Sequence, residues 1–167
     1  MTTILFNRRN LLAVGGSALA SGVLTTGVAG FLLPARADGL APTESMSGGA
    51  NNYRKGAPTV ERIGKGGFWM SGTVRRAGDG APLAGQRIQI WAHTVEGQEH
   101  EPQSHGATLT DKDGKFRLEM PQIIPIFGQP HGHLAYDSGE FKTVFLRPVM
   151  KSAKETSLEA HFVLQPA

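Results

Sequence analysis

The chain contains no cysteine. Disulfide staples, thiolate metal sites and thiol nucleophiles are excluded together. Aromatic residues are also scarce, at 7% of the sequence, with two tyrosines and two tryptophans among them. Any phenolate chemistry must run through Tyr53 or Tyr136. No stretch reads as a convincing amphipathic helix. A strong charge of one sign is missing once the N-terminus is set aside. The formal charge is +3, and residues 1–37 carry Arg8, Arg9 and Arg36 with no acid. The remainder is neutral, which gives no support for nucleic-acid binding.

What is present begins with an address. Arg8 and Arg9 precede a mildly apolar stretch from Leu11 to Leu33, rich in Gly, Ser and Thr, and then Ala35-Arg36-Ala37. This is the layout of a secretory signal with a small-x-small cleavage site. The flanking asparagines and weak hydrophobicity resemble the twin-arginine type. A membrane anchor is the alternative, since the stretch is long enough to span; its glycines and Ala-x-Ala favour removal. Residues 1–37 are thus expected to be a signal. The mature chain would be periplasmic or extracellular, with no membrane segment left. Twin-arginine export carries folded proteins, often with a cofactor already loaded.

Residues 38–67 are rich in Gly, Pro, Ser and Asn and read as a loop or extended arm. Order is expected over 68–167. "FWMSGTVRR" and "QRIQIWAH" read as strands, joined across Gly78-Asp79-Gly80, Pro82 and Gly85 as a hairpin or adjacent pair. "ATLTDKDGKFRLEM" reads as a second hairpin-like unit turning at Asp113-Gly114. "PQIIPIFGQP" is too proline-rich for a central strand. Two strands flank Asp137-Ser138-Gly139, and Leu158, Ala160, Phe162 and Leu164 alternate near the end. Strands with frequent turn signals predict an all-β sandwich.

One spacing carries chemistry. In "PHGHLAY", His131 and His133 are separated by one residue, and strand side chains alternate faces. Both imidazoles share a face. They read either as metal ligands or as solvated histidines on a wet sheet.

The frame Gly72, Val74, Gly80, Pro82, Leu83, Gly85, Ile88, Ile90, Trp91 resembles the core of the intradiol ring-cleavage dioxygenases, the protocatechuate and catechol dioxygenase group. "TDKDGKFRLEMP", "PHGHLAY", "FKTVFL", "EAHFVL" and "LAPTE" resemble further segments of that family in order. The resemblance implies a transthyretin-like β-sandwich, non-haem Fe(III) held by two tyrosinates and two histidines, and O2 insertion into a small aromatic diol. Paired subunits are compatible with it, as is an arm covering a neighbour. The family's histidines fall on His131 and His133. Its first tyrosine falls on Glu99, with His100 next; its second falls near Phe127, and an arginine becomes Gln129. Tyr53 lies in the arm, and Tyr136 is expected on the strand face opposite His133. Two histidines and a carboxylate favour Fe(II) or another divalent ion. His131, His133, Glu99 and His100 are therefore the candidate ligands, with Glu101 and His105 on the same loop. The alternative is a non-catalytic envelope module that kept the scaffold and lost the chemistry.

Overall fold

Alternation writes the strands. In β1 (Gly67–Arg76), Phe68, Met70 and Val74 are buried while Arg75 is exposed. In β4 (Lys115–Pro121), Phe116, Leu118 and Met120 turn inward. In β7 (Ser157–Leu164), Ala160, Phe162 and Leu164 do. These strands form a three-stranded sheet in the order β4-β1-β7, with β1 antiparallel to β4 and parallel to β7. The second sheet has the order β3-β2-β5-β6, built from β2 (Arg87–Ala92), β3 (His105–Leu109), β5 (Gly132–Tyr136) and β6 (Val144–Leu146), all antiparallel. The inner face of this sheet supplies Ile88, Ile90, Ala92, Leu134, Tyr136, Val144 and Leu146 to one core shared with the first. The computed structural model describes residues 39–167, so the expected signal at 1–37 lies outside the described residues. Among the described residues no helix is long and apolar enough to cross a membrane.

The sandwich expected from the sequence is present, but two of its connections differ. β1 and β2 belong to different sheets, as do β3 and β4. The turns expected to close hairpins instead carry the chain across the sandwich. Their local chemistry is the same in both cases. Asp111 Oδ1 accepts the backbone N–H groups of Asp113 and Lys115, each at 2.9 Å. Gly114 follows at φ 72°, in the left-handed region that favours glycine. The donors, Lys115 first, hold the Asp111 carboxyl below its usual range.

The arm differs more. Residues 39–66 contain no named strand or helix, yet they run docked along their own chain. Backbone bonds tie Leu40 to Gly78, Thr43 to Val163, Met46 to Phe145, Val60 to Ala107 and Ile63 to Glu119. Part of this segment covers the outer face of the four-stranded sheet: Trp91 Nε1 donates to the Asn51 carbonyl at 2.9 Å, and Gln89 Nε2 to that of Arg54 at 2.8 Å. Gln89, Trp91, Ala107, His133 and Ala135 are consequently buried outside the central core. The candidate site lies on this outer, covered face.

Candidate metal centre

Strand β5 sets the site. Leu134 and Tyr136 face the core, so His133, and His131 just ahead of the strand, face the other way. The β2–β3 connection brings Glu99 to them. Glu99 Oε2 lies 3.4 Å from His133 Nε2 and 3.6 Å from His131 Nε2. One ligand atom from each residue falls within 4.8 Å of the others.

The His133 proton can be placed. His133 Nδ1 is 3.1 Å from the Gly49 carbonyl oxygen, and His131 Nδ1 is 2.8 Å from that of Gln129. A carbonyl only accepts, so His133 Nδ1 carries the proton and its Nε2 keeps a lone pair, while the Gln129 carbonyl holds the His131 ring. His133 is fully buried, and that burial lowers its pKa, disfavouring a second proton. His133 Nε2 and Glu99 Oε2 are both buried with no hydrogen-bond partner. Two buried acceptors thus face each other with nothing between them to accept, an arrangement that costs free energy. A cation between them removes the cost. Two ligands about 2.1 Å from one ion stand roughly 3.0–3.4 Å apart, close to the spacing here. The donor set fits a divalent metal ion.

Outer contacts fix these ligands, as metal sites require. Asn52 Nδ2 donates to Glu99 Oε1 at 2.7 Å. His105 Nε2 donates to the Glu99 backbone carbonyl at 2.8 Å. Trp91 lies flat against His133, with centroids 5.2 Å apart and planes at 10°. A cleft of about 390 Å³ opens beside the cluster, lined by Asn51, Asn52, Glu99, Phe127, His131 and Arg147 among others. A larger groove of about 530 Å³ lies against the other sheet, along Ser71, Thr73, Arg117 and His161. That groove gathers no comparable set of ligand atoms among the described residues.

The other candidates sit elsewhere. His100 is exposed and stands outside the converging set; its backbone carbonyl accepts from Arg54 Nη1 at 3.5 Å. Glu101 Oε2 is taken by the Gln98 N–H at 2.8 Å and Gln103 Nε2 at 3.1 Å. His105 supports the Glu99 loop rather than joining the cluster. Tyr136 belongs to the core, and its hydroxyl accepts the Phe141 N–H at 3.3 Å. The Tyr53 hydroxyl donates to Asp137 Oδ2. Phe127, at φ 50°, is 99% exposed at the mouth of the cleft. The Gln129 side chain is exposed, and its backbone carbonyl is what meets His131. Sequence reasoning missed Gly49, Asn51, Asn52 and Arg54. Only Asn52 of these uses a side chain on the site, so "GGANNYR" carries little readable signal.

Three-dimensional comparison finds solved relatives of the architecture. Hydroxyquinol 1,2-dioxygenase from Pseudomonas putida DLL-E4 superimposes at TM-score 0.57 with 14% identity, covering 77% of this chain and 68% of that one. The fold resembles the intradiol dioxygenase β-sandwich. 3-Chlorocatechol 1,2-dioxygenase from Rhodococcus opacus 1CP gives 0.56 at 16% identity, over 78% of this chain and 74% of that one. The dioxygenase domain of a dioxygenase–carbohydrate-binding fusion from Streptomyces sp. SirexAA-E gives 0.56 at 16%, over 76% and 99%. No family model matches the chain, and no curated protein sequence does. At these identities the likeness is one of fold.

Burial of this site has a pH signature. Desolvation lowers the pKa of His133 and of His105, the latter offset in part by its bond to the Glu99 carbonyl. In the unfolded chain both titrate near ~6.5. Below that pH the unfolded state binds protons that the native state refuses, so stability falls as pH falls. The metal-free chain is expected to lose up to about 1.4 kcal/mol per pH unit per histidine on acidification from about pH 6.5. Urea midpoints at several pH values in chelator measure this. A flat profile between pH 7 and 5 would contradict it.

Proposed function

We propose that the chain is a metal-dependent intradiol-dioxygenase-like enzyme. His131, His133 and Glu99 hold a divalent non-haem iron, and a catechol-type diol enters by the adjoining cleft. The observation that carries this reading is the pair of facing, unpartnered acceptors on His133 and Glu99. Iron would supply a Lewis-acidic, redox-active centre where the two diol oxygens and O2 meet. The protein's part is to fix the His133 tautomer and the His131 ring, to hold Glu99 through Asn52, and to shield one side of the site with the arm. Arg147 Nη2 lies 3.3 Å from His131 Nδ1 and adds positive charge at the cleft, where a doubly ionised diol would need it. The signal-like pattern of residues 1–37 supports work outside the cytoplasm, and subunit pairing is compatible with the scaffold.

A second reading, a metal-binding envelope module without turnover, is favoured by one observation. Neither tyrosine stands with the ligand set, so the ferric bis-phenolate chemistry of the resembled family has no counterpart here. The test is anaerobic loading with Fe(II), elemental analysis, and then oxygen uptake with catechol. Stoichiometric iron and oxygen consumption matched to catechol loss, both abolished by His131→Ala/His133→Ala, support the enzyme. Iron without oxygen uptake on any of a panel of vicinal diols supports the module. No iron overturns both.

A further inference from the structure

Trp91 is fully buried and lies between two imidazoles: His133 at 5.2 Å and 10°, and His105 at 5.5 Å and 8°. Tyr53 packs against the same indole at 5.8 Å. Its hydroxyl donates to Asp137 Oδ2, and Arg87 Nη1 lies 3.7 Å from Asp137 Oδ1. An unbroken line thus runs from a candidate metal ligand through an indole to a phenol with its own proton acceptor. The sequence holds two tyrosines and two tryptophans, and one of each stands here. Packing explains a flat ring on a covered sheet face. It does not require contact with the ligand on one side and with a carboxylate-bound phenol on the other.

We propose that Trp91 and Tyr53 form a one-electron relay that carries oxidising equivalents away from the His131/His133/Glu99 site and ends in a Tyr53 phenoxyl radical, with the phenol proton passing to Asp137. The proposal rests on the metal reading above. Indole and phenol are among the most readily oxidised side chains, and rings in contact exchange electrons easily. An oxidised phenol is a strong acid, so its oxidation proceeds best where a base already accepts its hydrogen bond. Burial and the Asp137 carboxylate push the Tyr53 pKa up to about 12. The resting group is therefore the neutral phenol, and its proton leaves together with the electron. The oxidant is hydrogen peroxide reaching the site while no diol is bound. One Fe(II), the Tyr53 phenol, the Asp137 carboxylate, one hydrogen peroxide and two solvent protons give one Fe(III), the phenoxyl, the Asp137 carboxylic acid and two waters. The peroxide O–O bond breaks; iron supplies one electron, and Tyr53 supplies the other through Trp91. The relay spares the buried imidazoles, which have no other nearby group so easily oxidised and so close to a base.

The experiment loads the full chain with Fe(II) anaerobically, measures bound iron, mixes with hydrogen peroxide and records freeze-quench electron paramagnetic resonance. The expected result is a phenoxyl signal in the unmodified chain, at least tenfold weaker in Tyr53→Phe at equal iron content and slower to form in Asp137→Asn. Peptide mapping should then find oxygen added to Trp91 in Tyr53→Phe, where the hole can travel no further. Tyr53→Phe keeps the ring that packs on Trp91 and Phe145, so it should fold. Bound iron with no phenoxyl, or with an equal signal in Tyr53→Phe, overturns the relay and leaves the metal site standing. Failure to bind iron overturns the metal reading and the relay with it.

Discussion

Glu99→Gln is expected to stabilise the metal-free chain while abolishing its metal binding. Glu99 Oε1 accepts from Asn52, and the Gln oxygen can keep that bond. The Gln amide nitrogen then replaces Oε2, 3.4 Å from His133 Nε2. A donor now faces a lone pair where two acceptors faced each other. Making a buried hydrogen bond and relieving an unpaired carboxylate oxygen should gain roughly 1–2 kcal/mol. In a domain of this size that raises the melting temperature by about 3–8 °C. The same change removes the only anionic member of the ligand set. Metal affinity should fall by more than about 100-fold, beyond the usual cost of losing a mere support of the ligands. Melting curves in chelator and a metal titration read the two effects separately. A solvated structural cluster would behave otherwise: Glu99→Gln would leave both quantities nearly unchanged. A destabilised variant with intact metal binding would sink the assignment of Glu99.

The opposed signs reflect how binding sites are stabilised. Two buried acceptors held face to face are a local cost, tolerated because the rest of the fold over-determines it. Here the fold does so through backbone. The carbonyl of Gly49 sets the His133 tautomer, that of Gln129 holds the His131 ring, and that of Asn51 anchors Trp91. Electrostatics agree with a divalent ion. A trivalent ion with two phenolates and a divalent ion with one carboxylate both keep a single positive charge. Under the proposed function, a divalent ion held by Glu99 would therefore keep the net charge that the resembled family's tyrosines give a trivalent one.

The placement of the histidine pair was legible where it depends on side-chain identity and short spacing. The alternation of β5 placed His131 and His133 on one face and Tyr136 on the other, and β5 has that arrangement. What alternation could not show is whether a face is wet. It states which residues share a side, and only the docked arm decides that Gln89, Trp91 and His133 are buried. The arm's contribution is illegible for the same reason: three of its contacts are carbonyls, and every residue has one. Hairpin and crossover were also indistinguishable. The Asp111–Gly114 turn satisfies its own donors in either topology, and the choice falls to the shared core. Glu99 and His100 were adjacent candidates, and the direction in which a loop residue points is set by packing that the local sequence does not encode.

Gly72→Ala tests the close packing within the three-stranded sheet, and its effect should be the largest of any single methyl added to this sheet. Gly72 pairs with Phe116 on β4 and with Ala160 on β7. A Cβ built there would lie 1.6 Å from the Ala160 carbonyl oxygen and 2.7 Å from the Phe116 ring. The first obstacle is backbone, so no rotamer change relieves it. β1 and β7 would have to separate at the middle of their parallel ladder, breaking its backbone hydrogen bonds and opening the packing of Phe116 beneath it. The expected cost exceeds about 4 kcal/mol, a large share of the roughly 5–15 kcal/mol that holds a domain together. Ser71→Ala, next in the same strand, should stay within about 1 kcal/mol. None of the ligands lies on the damaged sheet. If metal binds only the folded chain, metal at about 100 times its dissociation constant should restore about 2.7 kcal/mol to Gly72→Ala. The same addition should restore nothing to Gly72→Ala/Glu99→Gln. Urea midpoints with and without metal decide it. Equal rescue of both variants would mean that the ion acts somewhere other than between Glu99, His131 and His133.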